Sequence, residues 1–537
     1  MKKLLLASTS AFVVAFASSA FAAGSSTTLQ QTGDSQTANI DQSGGNSNVV
    51  GSATNPFTQQ NGTGTGGNSI TITQTGNGNS TQGWSNWTSY GYGAVAGNAN
   101  GYPGQSGTAN QATIIQNGDS GSVTIAQKGT DNGNVATNDN TGGFIQQGLL
   151  SLRDSVFVLQ NGVKNLFNIS QNNTNSAVGT SNTFNNSVDL QQGGTENDAT
   201  ITQLGTYSPG INPYGVGLGV TAQQYNGWNH LDSNQTGTQN SLYTVQTDTA
   251  PGTGAKNSIS NTQSGNSNRG YVGLNGAGQN GSLLVIASTQ GGASNTMDVW
   301  SQLGSSNSIT NGQAGTSNKL TVKNQSSSGN SINNYQGTGN NANPAAANNT
   351  ATVESQFGSN GQINNFQQGT NGSATYTQGG SGNTATTNQT IGGTGGDHNT
   401  VVSTQNGING KAKFRQQGTY NLATLQDQIG TGNEIITTQS GNGTSGSNNT
   451  ILAAQNGDAN KIDMTQSGGA GNSAYLGQGF TIGGIVLTVQ NATAANNNGI
   501  TGVQNGSLNT AYASQNSSFN TANFNQNGSG NTATIKQ

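Results

Sequence analysis

The last stretch of the chain, residues 504–537, reads QNGSLNTAYAS QNSSFNTANFN QNGSGNTATIKQ and decides the fold. It contains three copies of one unit, opened by Gln504, Gln515 and Gln526, and Gln537 closes the last copy. With the opening glutamine at position 0, the frame is Gln-x-Gly-x-x-Asn-x-(apolar)-x-x-x-Gln, and the step between glutamines is 11 residues. A short repeated unit of this kind predicts a stacked repeat architecture.

The same frame recurs through most of the chain. Complete copies begin at Gln504 and Gln526 and also at Gln160, Gln192, Gln235, Gln302, Gln378, Gln428 and Gln455, and near matches begin at Gln31, Gln116, Gln325, Gln356, Gln367, Gln405 and Gln515. The residues predicted to form the structural ladder that carries assembly are Gln160, Gly162, Asn165, Gln171, Gln192, Gly194, Asn197, Gln203, Gln235, Gly237, Asn240, Gln246, Gln378, Gly380, Asn383, Gln389, Gln455, Gly457, Asn460, Gln466, Gln504, Gly506, Asn509, Gln515, Asn520, Gln526, Gly528, Asn531 and Gln537.

Each unit reads as one strand and one turn. Positions 5, 7, 9 and 11 share parity, so in a strand the asparagine, two apolar side chains and the glutamine lie on one face. Position 9 is often apolar, as at Ile169, Tyr376 and Phe414. The glycine at position 2 can adopt the positive φ that a tight turn requires, so the Gly-x-x segment is predicted to be the turn.

Two units together make a strand–turn–strand layer. Layers of this kind stack about 4.8 Å apart, and identical amides then form ladders along the axis. The predicted fold class is therefore all-β: a β-solenoid of stacked, cross-β repeats with two 11-residue units per layer.

Charged residues test this orientation. Lys411, Lys413 and Arg415 fall on positions 6, 8 and 10 of their unit, so all three are predicted to point outward. An unpaired charge inside a dry stack would be too costly. Other charges predicted to point outward are Asp41, Asp198, Lys319, Lys323, Glu434, Lys461, Asp463 and Lys536.

The prolines lie outside the matched units, as expected for residues that interrupt strand pairing. They place predicted insertions near 77–107, 206–222, 247–256 and 338–348, within a repeat region that spans 23–537.

Composition excludes several classes of protein. Only 6% of residues are charged and 29% are hydrophobic, which is too little apolar material for a large ordinary core. The 14 Lys and Arg residues form no basic stripe, so no nucleic-acid partner is predicted. The chain has no cysteine, which excludes disulfides and thiol chemistry.

The first residues predict export. Lys2 and Lys3 precede a mostly apolar run, and Ala20-Phe21-Ala22 is a small-x-small cleavage site. Residues 1–22 are therefore interpreted as a secretory signal peptide, too short for a membrane span, and the mature chain is expected to be extracellular.

Little in the sequence indicates catalysis or metal binding. His230 and His398 lie among Gly and Asn, and the pair Asp397-His398 has no group to orient it. The run Gly392–Asp397 is an imperfect copy of the Gly-rich calcium-binding nonapeptide. We expect no enzyme activity, no cofactor and no metal.

The frame resembles the curlin repeat, Ser-x5-Gln-x-Gly-x-x-Asn-x-Ala-x3-Gln, of bacterial curli subunits. The units at Gln378, Gln504 and Gln526 also match its alanine, with Ala385, Ala511 and Ala533. The resemblance covers about 30–537 and implies a secreted subunit of a Gram-negative-type bacterium that polymerises into cell-surface amyloid fibres for adhesion and biofilm matrix. It implies as partners other copies of the chain, a related nucleator or major subunit, a curli-type outer-membrane secretion pore with accessory proteins, and host or abiotic surfaces.

The resemblance also assigns the seeding of fibre growth to terminal units, here those beginning at Gln31, Gln515 and Gln526. The chain departs from typical curlins, which are much shorter and lack long insertions. Major subunit, nucleator and fibre-associated adhesin therefore all stay open.

A monomeric β-solenoid is the competing hypothesis, either an adhesin or an ice-binding rod. Such a rod needs a polar cap and a flat, regular outer face. The final strand, residues 534–537, has the frame of an uncapped edge, which favours self-assembly.

Overall fold

The computed structural model is all-β over the residues that it describes. No helix occurs there, and hence none that is long and apolar enough to cross a membrane. The predicted signal peptide and all six prolines lie outside the described residues. The described residues are 25–27, 29–32, 37–42, 47–50, 57–61, 69–74, 80–83, 105–108, 111–116, 122–130, 144–147, 155–172, 187–207, 219–225, 229–238, 240–248, 257–273, 278–337, 347–390, 398–444, 446–478, 481–483, 486–488 and 495–537.

The chain divides into two compact units, Met1–Gly227 and Trp228–Gln537. The strands of the first unit are β1 (Ser26–Thr27), β2 (Leu29–Thr32), β3 (Thr37–Asp41), β4 (Val49–Val50), β5 (Phe57–Asn61), β6 (Ser69–Gln74), β7 (Ser80–Gly83), β8 (Gln105–Thr108), β9 (Gln111–Gln116), β10 (Ser122–Thr130), β11 (Phe144–Gln147), β12 (Ser155–Val163), β13 (Leu166–Asn172), β14 (Ser187–Thr195), β15 (Asp198–Tyr207) and β16 (Val220–Tyr225).

The second unit holds the remaining strands. These are β17 (Asn229–Thr238), β18 (Ser241–Asp248), β19 (Asn257–Asn266), β20 (Arg269–Val272), β21 (Gly278–Ser282), β22 (Val285–Ala293), β23 (Thr296–Val299), β24 (Ser301–Ser305), β25 (Ser308–Gln313), β26 (Lys319–Val322), β27 (Ser331–Gln336), β28 (Thr350–Gln356), β29 (Gln362–Gln367), β30 (Ser373–Gln378), β31 (Thr384–Thr390), β32 (Thr400–Gln405), β33 (Lys411–Gln417), β34 (Asn421–Ile429), β35 (Glu434–Gln439), β36 (Asn449–Asn456), β37 (Lys461–Ser467), β38 (Ser473–Gln478), β39 (Thr481–Gly483), β40 (Val486–Thr488), β41 (Gly499–Asn505), β42 (Thr510–Gln515), β43 (Thr521–Asn527) and β44 (Thr532–Lys536).

Within the second unit, successive strands alternate between two parallel sheets. Sheet I stacks β18, β20 with β21, β23 with β24, β26, β28, β30, β32, β34, β36, β38, β42 and β44 in that order. Sheet II stacks β17, β19, β22, β25, β27, β29, β31, β33, β35, β37, β41 and β43. One strand from each sheet makes one layer, so the predicted β-solenoid is confirmed.

The first unit has the same construction. Its sheet I runs from β1 and β2 through β4 with β5, β7 with β8, β10, β12 and β14 to β16. Its sheet II stacks β3, β6, β9, β11, β13 and β15.

Chain length per layer varies around the predicted value. Gln356 and Gln378 stack 22 residues apart, whereas Gln466 and Gln504 stack 38 residues apart. The longer coil contains the antiparallel hairpin β39–β40, and the repeat resumes in register after it. Extra residues therefore leave the stack at a turn without shifting the inward face.

The predicted insertions can be placed only at their margins. Within 77–107, Ser80–Gly83 and residues 105–107 of Gln105–Thr108 are strands of the stack. β15 extends to Tyr207 and β16 begins at Val220. β18 extends to Asp248, and residues 347 onward rejoin the stack. The intervening residues lie outside the described part of the chain.

The core of each unit is a narrow column of alternating side chains. Burial alternates along the strands, and Phe167, Tyr376 and Phe414 are among the largest side chains that are fully enclosed. Positions 7 and 9 supply this apolar column, as predicted. Neighbouring layers also compensate for one another: a Cβ on Gly502 would lie 2.1 Å from Cζ of Phe524, because that ring fills the space a side chain at Gly502 would need.

Candidate functional site

The inward glutamines form two continuous ladders through the second unit, one on each sheet. Each Nε2 donates to Oε1 of the glutamine in the next layer at 2.7–3.0 Å. The sheet II ladder runs through Gln235, Gln263, Gln290, Gln313, Gln336, Gln367, Gln389, Gln416, Gln439, Gln466, Gln504 and Gln526. The sheet I ladder runs through Gln302, Gln325, Gln356, Gln378, Gln405, Gln428, Gln455, Gln478, Gln515 and Gln537.

Each glutamine amide also joins the two sheets. Nε2 of Gln504 donates to the carbonyl oxygen of Ser473 on sheet I at 3.0 Å, and Nε2 of Gln526 donates to Thr510 in the same way at 2.8 Å. The amide is buried with its hydrogens used, so it costs little to enclose. Any shorter or charged side chain would leave a buried backbone carbonyl without its donor.

The asparagine at position 5 forms hydrogen bonds within its own turn and with the adjacent layer. Oδ1 of Asn509 accepts from the backbone N–H of Asn531 in the next layer at 3.0 Å. Its Nδ2 donates to the carbonyl oxygens of Asn505, four residues earlier, and of Gly528 in the next layer. The same pattern, in whole or in part, occurs at Asn165, Asn197, Asn240, Asn383 and Asn460. In the last layer, the N–H of Asn520 donates to Oδ1 of Asn498, and its Nδ2 donates to the carbonyl oxygen of Ser517.

The glycine at position 2 is required for two reasons. Gly506 has φ +113°, a conformation that L side chains rarely adopt, and a Cβ there would lie 2.0 Å from the carbonyl oxygen of Gly528. Gly237, Gly380 and Gly457 face the next layer with the same close approach. The glycines therefore form a column in which backbone contacts backbone.

The turn differs from the prediction in one respect. In β12 and β14, strand pairing continues through Gly162 and Gly194 to the following residue, so these glycines lie in paired strand and not in a separate turn. The strand extends further because the turn itself stacks in register on its neighbours.

Position 4 is a second left-handed site that sequence reasoning missed. The residue before the asparagine has φ between about +50° and +65° even where it is Lys164, Tyr420, Leu508 or Phe519. Serine and asparagine are common there, which was the available signal, since asparagine tolerates this conformation. Because these bulky residues favour negative φ, their left-handed backbone shows that the stacked turns impose this conformation.

The ladders have a direction. Each glutamine donates toward the C-terminal end of the stack, while each asparagine Oδ1 accepts from the layer on that same side. In the first unit, Gln42 likewise donates to Gln74 at 2.8 Å, and its own Oε1 accepts from the Thr27 hydroxyl. The N-terminal and C-terminal sides of a layer therefore present different hydrogen-bonding groups.

The last described layer exposes what other layers bury. Within the described part of the chain no strand pairs with the outer edges of β43 and β44. Gln537 and Asn531 are exposed there and Asn520 is half-buried, whereas Gln515 and Asn509 one layer inside are fully buried. The other glutamines and asparagines of the predicted ladder are buried, and Gln160, Gln171, Gln192 and Gln203 of the first unit hydrogen-bond to glutamines of adjacent layers. Among the predicted glycines, Gly380 and Gly528 are exposed, and Gly237 and Gly506 are half-buried.

Gln246 lies buried on the inward face of sheet I and also joins the two sheets. Its Nε2 donates to the carbonyl oxygens of His230 and Asn257, and its Cα partner in the next layer is Gln279.

Charges lie on the outer surface, as predicted. Lys411, Lys413 and Arg415 are all exposed. Lys461 pairs with Glu434 at 3.3 Å, and Lys319 pairs with Asp298 at 3.2 Å. These are neighbours in adjacent layers, so oppositely charged side chains stack in register on the surface.

Two groups, the partly exposed Asp189 and the fully buried Tyr376, have raised pKa values. Burial raises the pKa of Asp189 to about 6, although Gln191 donates a hydrogen bond to it. Burial also raises the pKa of Tyr376, whose hydroxyl donates to Oδ1 of Asn365 at 3.0 Å. Neither group adjoins a cluster of His, Asp or Glu, and no metal-binding group of three such residues occurs among the described residues.

The histidine singled out in the sequence has a stacking role. His398 lies at position 4 of a turn, and its ring stacks on Tyr420 in the next layer with centroids 4.7 Å apart. Asp397 and the Gly392–Asp397 run lie outside the described residues.

The site binds through hydrogen bonds, in which backbone groups and side-chain amides of one layer bond to the same kinds of group in the next layer. Each layer offers donors and acceptors in the spacing that the next layer requires, so the best ligand for a layer is another layer. Comparison of the sequence with protein-family models and with curated proteins found no match.

Proposed function

We propose that this chain is a secreted structural subunit that self-assembles into extracellular amyloid fibres of the curli type, which serve cell adhesion and the biofilm matrix. The observation that carries the proposal is the pair of glutamine ladders, in which successive glutamines from Gln235 on sheet II and from Gln302 on sheet I bond to the next layer in the same way. Nothing in those contacts distinguishes a layer of the same chain from a layer of another copy.

The interaction between layers is strong because many modest contacts add together. A layer contributes two glutamine amides, two position-5 groups and two strands of backbone hydrogen bonds, each worth about 0.5–1.5 kcal/mol net. Parallel in-register strands with amide ladders and a dry interior are the features that stabilise cross-β assemblies. The contact that stabilises the monomer is therefore also the contact that would build the fibre.

The direction of the ladders favours head-to-tail growth. On the C-terminal side of the second unit, Gln526 and Gln537 present donors, whereas the N-terminal side of each layer presents glutamine Oε1 acceptors. Two copies joined by a two-fold axis would oppose donor to donor. A translated copy matches at every position, and such heterologous contacts produce open filaments.

The curlin-like frame and the N-terminal residues supply the rest of the proposal. A chain of this type would be exported with removal of residues 1–22, cross the outer membrane through a curli-type pore with its accessory proteins, and polymerise at the cell surface. A related nucleator or major subunit would be a natural partner, since its layers would carry the same frame.

Assembly of the chain from residue 23 onward tests the proposal. At micromolar concentration we expect fibres in electron micrographs, thioflavin T fluorescence and a 4.7–4.8 Å diffraction spacing. Replacing Gln515 and Asn520 with alanine should lengthen the lag severalfold, and Lys411→Ala should leave it unchanged. A chain that stays monomeric and dye-negative for days would overturn the proposal, and equal effects of the two variants would exclude the ladders as the assembly contact.

A further inference from the structure

From β30 to β42, the two outer faces of the second unit differ in charge. On sheet II, the outward residues of β33, β35 and β37 include Lys411, Lys413, Arg415, Glu434 and Asp463. On sheet I, the outward positions of the same layers are mostly threonine, serine, valine, leucine and tyrosine, with Gln426 and Asp427 of β34 as polar exceptions. The ion pair between Lys323 and Glu354 lies on sheet I before this stretch.

From β28 to β42, an uncharged column runs along the middle of sheet I, whereas Asp298 occupies the same column two layers before β28. Its register is continuous from layer to layer, and its side chains are half-buried by their neighbours on either side. Tyr475 and Tyr512 are neighbours in it, with stacked rings 5.1 Å apart, and Thr534 of β44 follows them. The preceding members of the column are Thr352, Thr375, Val402, Thr424 and Leu452.

Short β-branched side chains in this arrangement make a flat surface. The flanking column from Thr350 to Thr450 is likewise threonine, serine and leucine. Two described carboxylates lie at the margin. Asp427 lies at a β-bulge and accepts a hydrogen bond from Asn406 at 3.1 Å, and Glu354 of β28 is already paired with Lys323. No buried ion pair would have to form if a second flat surface covered this one.

We propose that the threonine face of sheet I, as defined by these two columns, binds the same face of a second copy, so that the proposed fibre consists of two rods paired laterally. Two such faces can approach to the roughly 10 Å spacing of packed sheets, because no long charged side chain intervenes. Sheet II cannot do this without burying Lys413 and Asp463, which would have to lose their hydration.

The area fits a stable contact. Seven layers at about 4.8 Å and two to three columns at about 7 Å bury on the order of 1,000 Å² over both copies. That is close to the lower limit for a specific interface, so pairing would be weak for one rod and strong for a fibre of many.

The test uses two double variants, and each substitution on one sheet has its counterpart on the other sheet of the same layer. Thr375→Lys with Thr424→Lys places two charges on the threonine face, and Thr386→Lys with Thr438→Lys places two on sheet II of the same coils. Mass per length of fibres, measured by dark-field electron microscopy, should correspond to two rods for the parent chain and the sheet II variant. It should fall twofold for the threonine-face variant.

This proposal rests on fibre formation, and sedimentation equilibrium of the soluble chain separates the two. If no fibres form, a monomer–dimer equilibrium abolished only by the threonine-face variant still supports pairing. Parent fibres with one rod per cross-section, or equal effects of both variants, would overturn it. If the parent chain stays unpaired but adsorbs to ice or crystalline polysaccharide, and only the threonine-face variant loses adsorption, the face belongs to a solid surface and the pairing proposal is wrong.

Discussion

Nε2 of Gln504 donates to Oε1 of Gln526 at 2.7 Å, and the two residues are 22 positions apart, one layer of the solenoid. Gln504→Glu replaces this donor with an acceptor, so two oxygens oppose each other in a buried site. We expect the variant to lose at least about 3 kcal/mol of unfolding free energy at pH 7. The loss should shrink as the pH falls from 7 to about 4, because burial favours the protonated carboxyl group in the folded state.

Chemical denaturation followed by circular dichroism measures this effect. Gln362→Glu is the control, because Gln362 lies exposed on the outer side of β29. Equal destabilisation by both variants would contradict the ladder as the source of the loss.

The glycine column predicts a contrast between two glycines of the turn. Gly506→Ala should destabilise the second unit by several kcal/mol, because the added Cβ meets the carbonyl oxygen of Gly528 and the φ of +113° is strained. Gly432→Ala should cost only about 1 kcal/mol, since its φ is +68° and nothing lies within 4 Å of a Cβ. Gly432→Asn should be tolerated better still, and a similar cost for all three variants in denaturation midpoints would argue against backbone stacking.

Asp189 predicts a pH dependence in the first unit. Burial raises its pKa to about 6 in the folded state from its ordinary value of 3.8, so the folded state holds the proton more tightly. Its contribution is favourable below about pH 4 and is lost as pH rises through 4 to 6, because the unfolded chain ionises first. Asp189→Asn should therefore add about 2–3 kcal/mol at pH 7 and nothing at pH 3.5. Asp463→Asn, on the outer face of β37, should add nothing at either pH, and a flat pH profile for the Asp189 difference would refute the assignment.

One buried hydroxyl predicts a stabilising substitution. Thr437 is 1% exposed, and its Oγ1 has no hydrogen-bond partner. Thr437→Val keeps the shape and removes the unpaired oxygen, so the thermal midpoint should rise by the equivalent of about 1 kcal/mol. Thr438→Val on the outer face should leave it unchanged, and no gain at Thr437 would indicate that the hydroxyl finds a partner.

The direction of the ladders predicts a chain terminator. Gln526→Glu with Gln537→Glu replaces the donors of the exposed C-terminal layer and leaves the N-terminal acceptor layer intact. Such a copy should join the donor end of a growing fibre and then block further addition, so a few per cent of it should slow seeded growth. An equal amount of Gln362→Glu should not, and no inhibition at all would contradict head-to-tail growth.

The periodicity of the sequence was enough to predict the inward and outward faces. Gln504, Asn509 and Ala511 lie inward because side chains alternate along a strand, and Lys411, Lys413 and Arg415 lie outward because a dry interior excludes unpaired charge. These are local rules, and they depend on spacing alone. The same spacing predicted the glycine turn, whose positive φ is a property of that residue.

Other features depend on which layers stack on each other, and the spacing of residues within one repeat unit does not predict that pairing. The partner of Gln466 is Gln504, 38 residues away, because the hairpin coil loops out and the next matching strand takes the place in register. Phe519 and Tyr420 adopt left-handed backbone because stacked turns outweigh their own preference. Gly502 breaks the apolar frame because the Phe524 ring from the next layer fills its space.

The sequence by itself thus determined the unit: a strand, a turn and an inward set of Gln, Asn and apolar residues, all set by local sterics and by the cost of burying charge. Only the tertiary structure decided the order of stacking, the direction of the ladders and the separation of a charged face from a threonine face. Those properties arise between layers, because each side chain contacts the equivalent residue of the next layer, about 4.8 Å away, and not its neighbours in the chain.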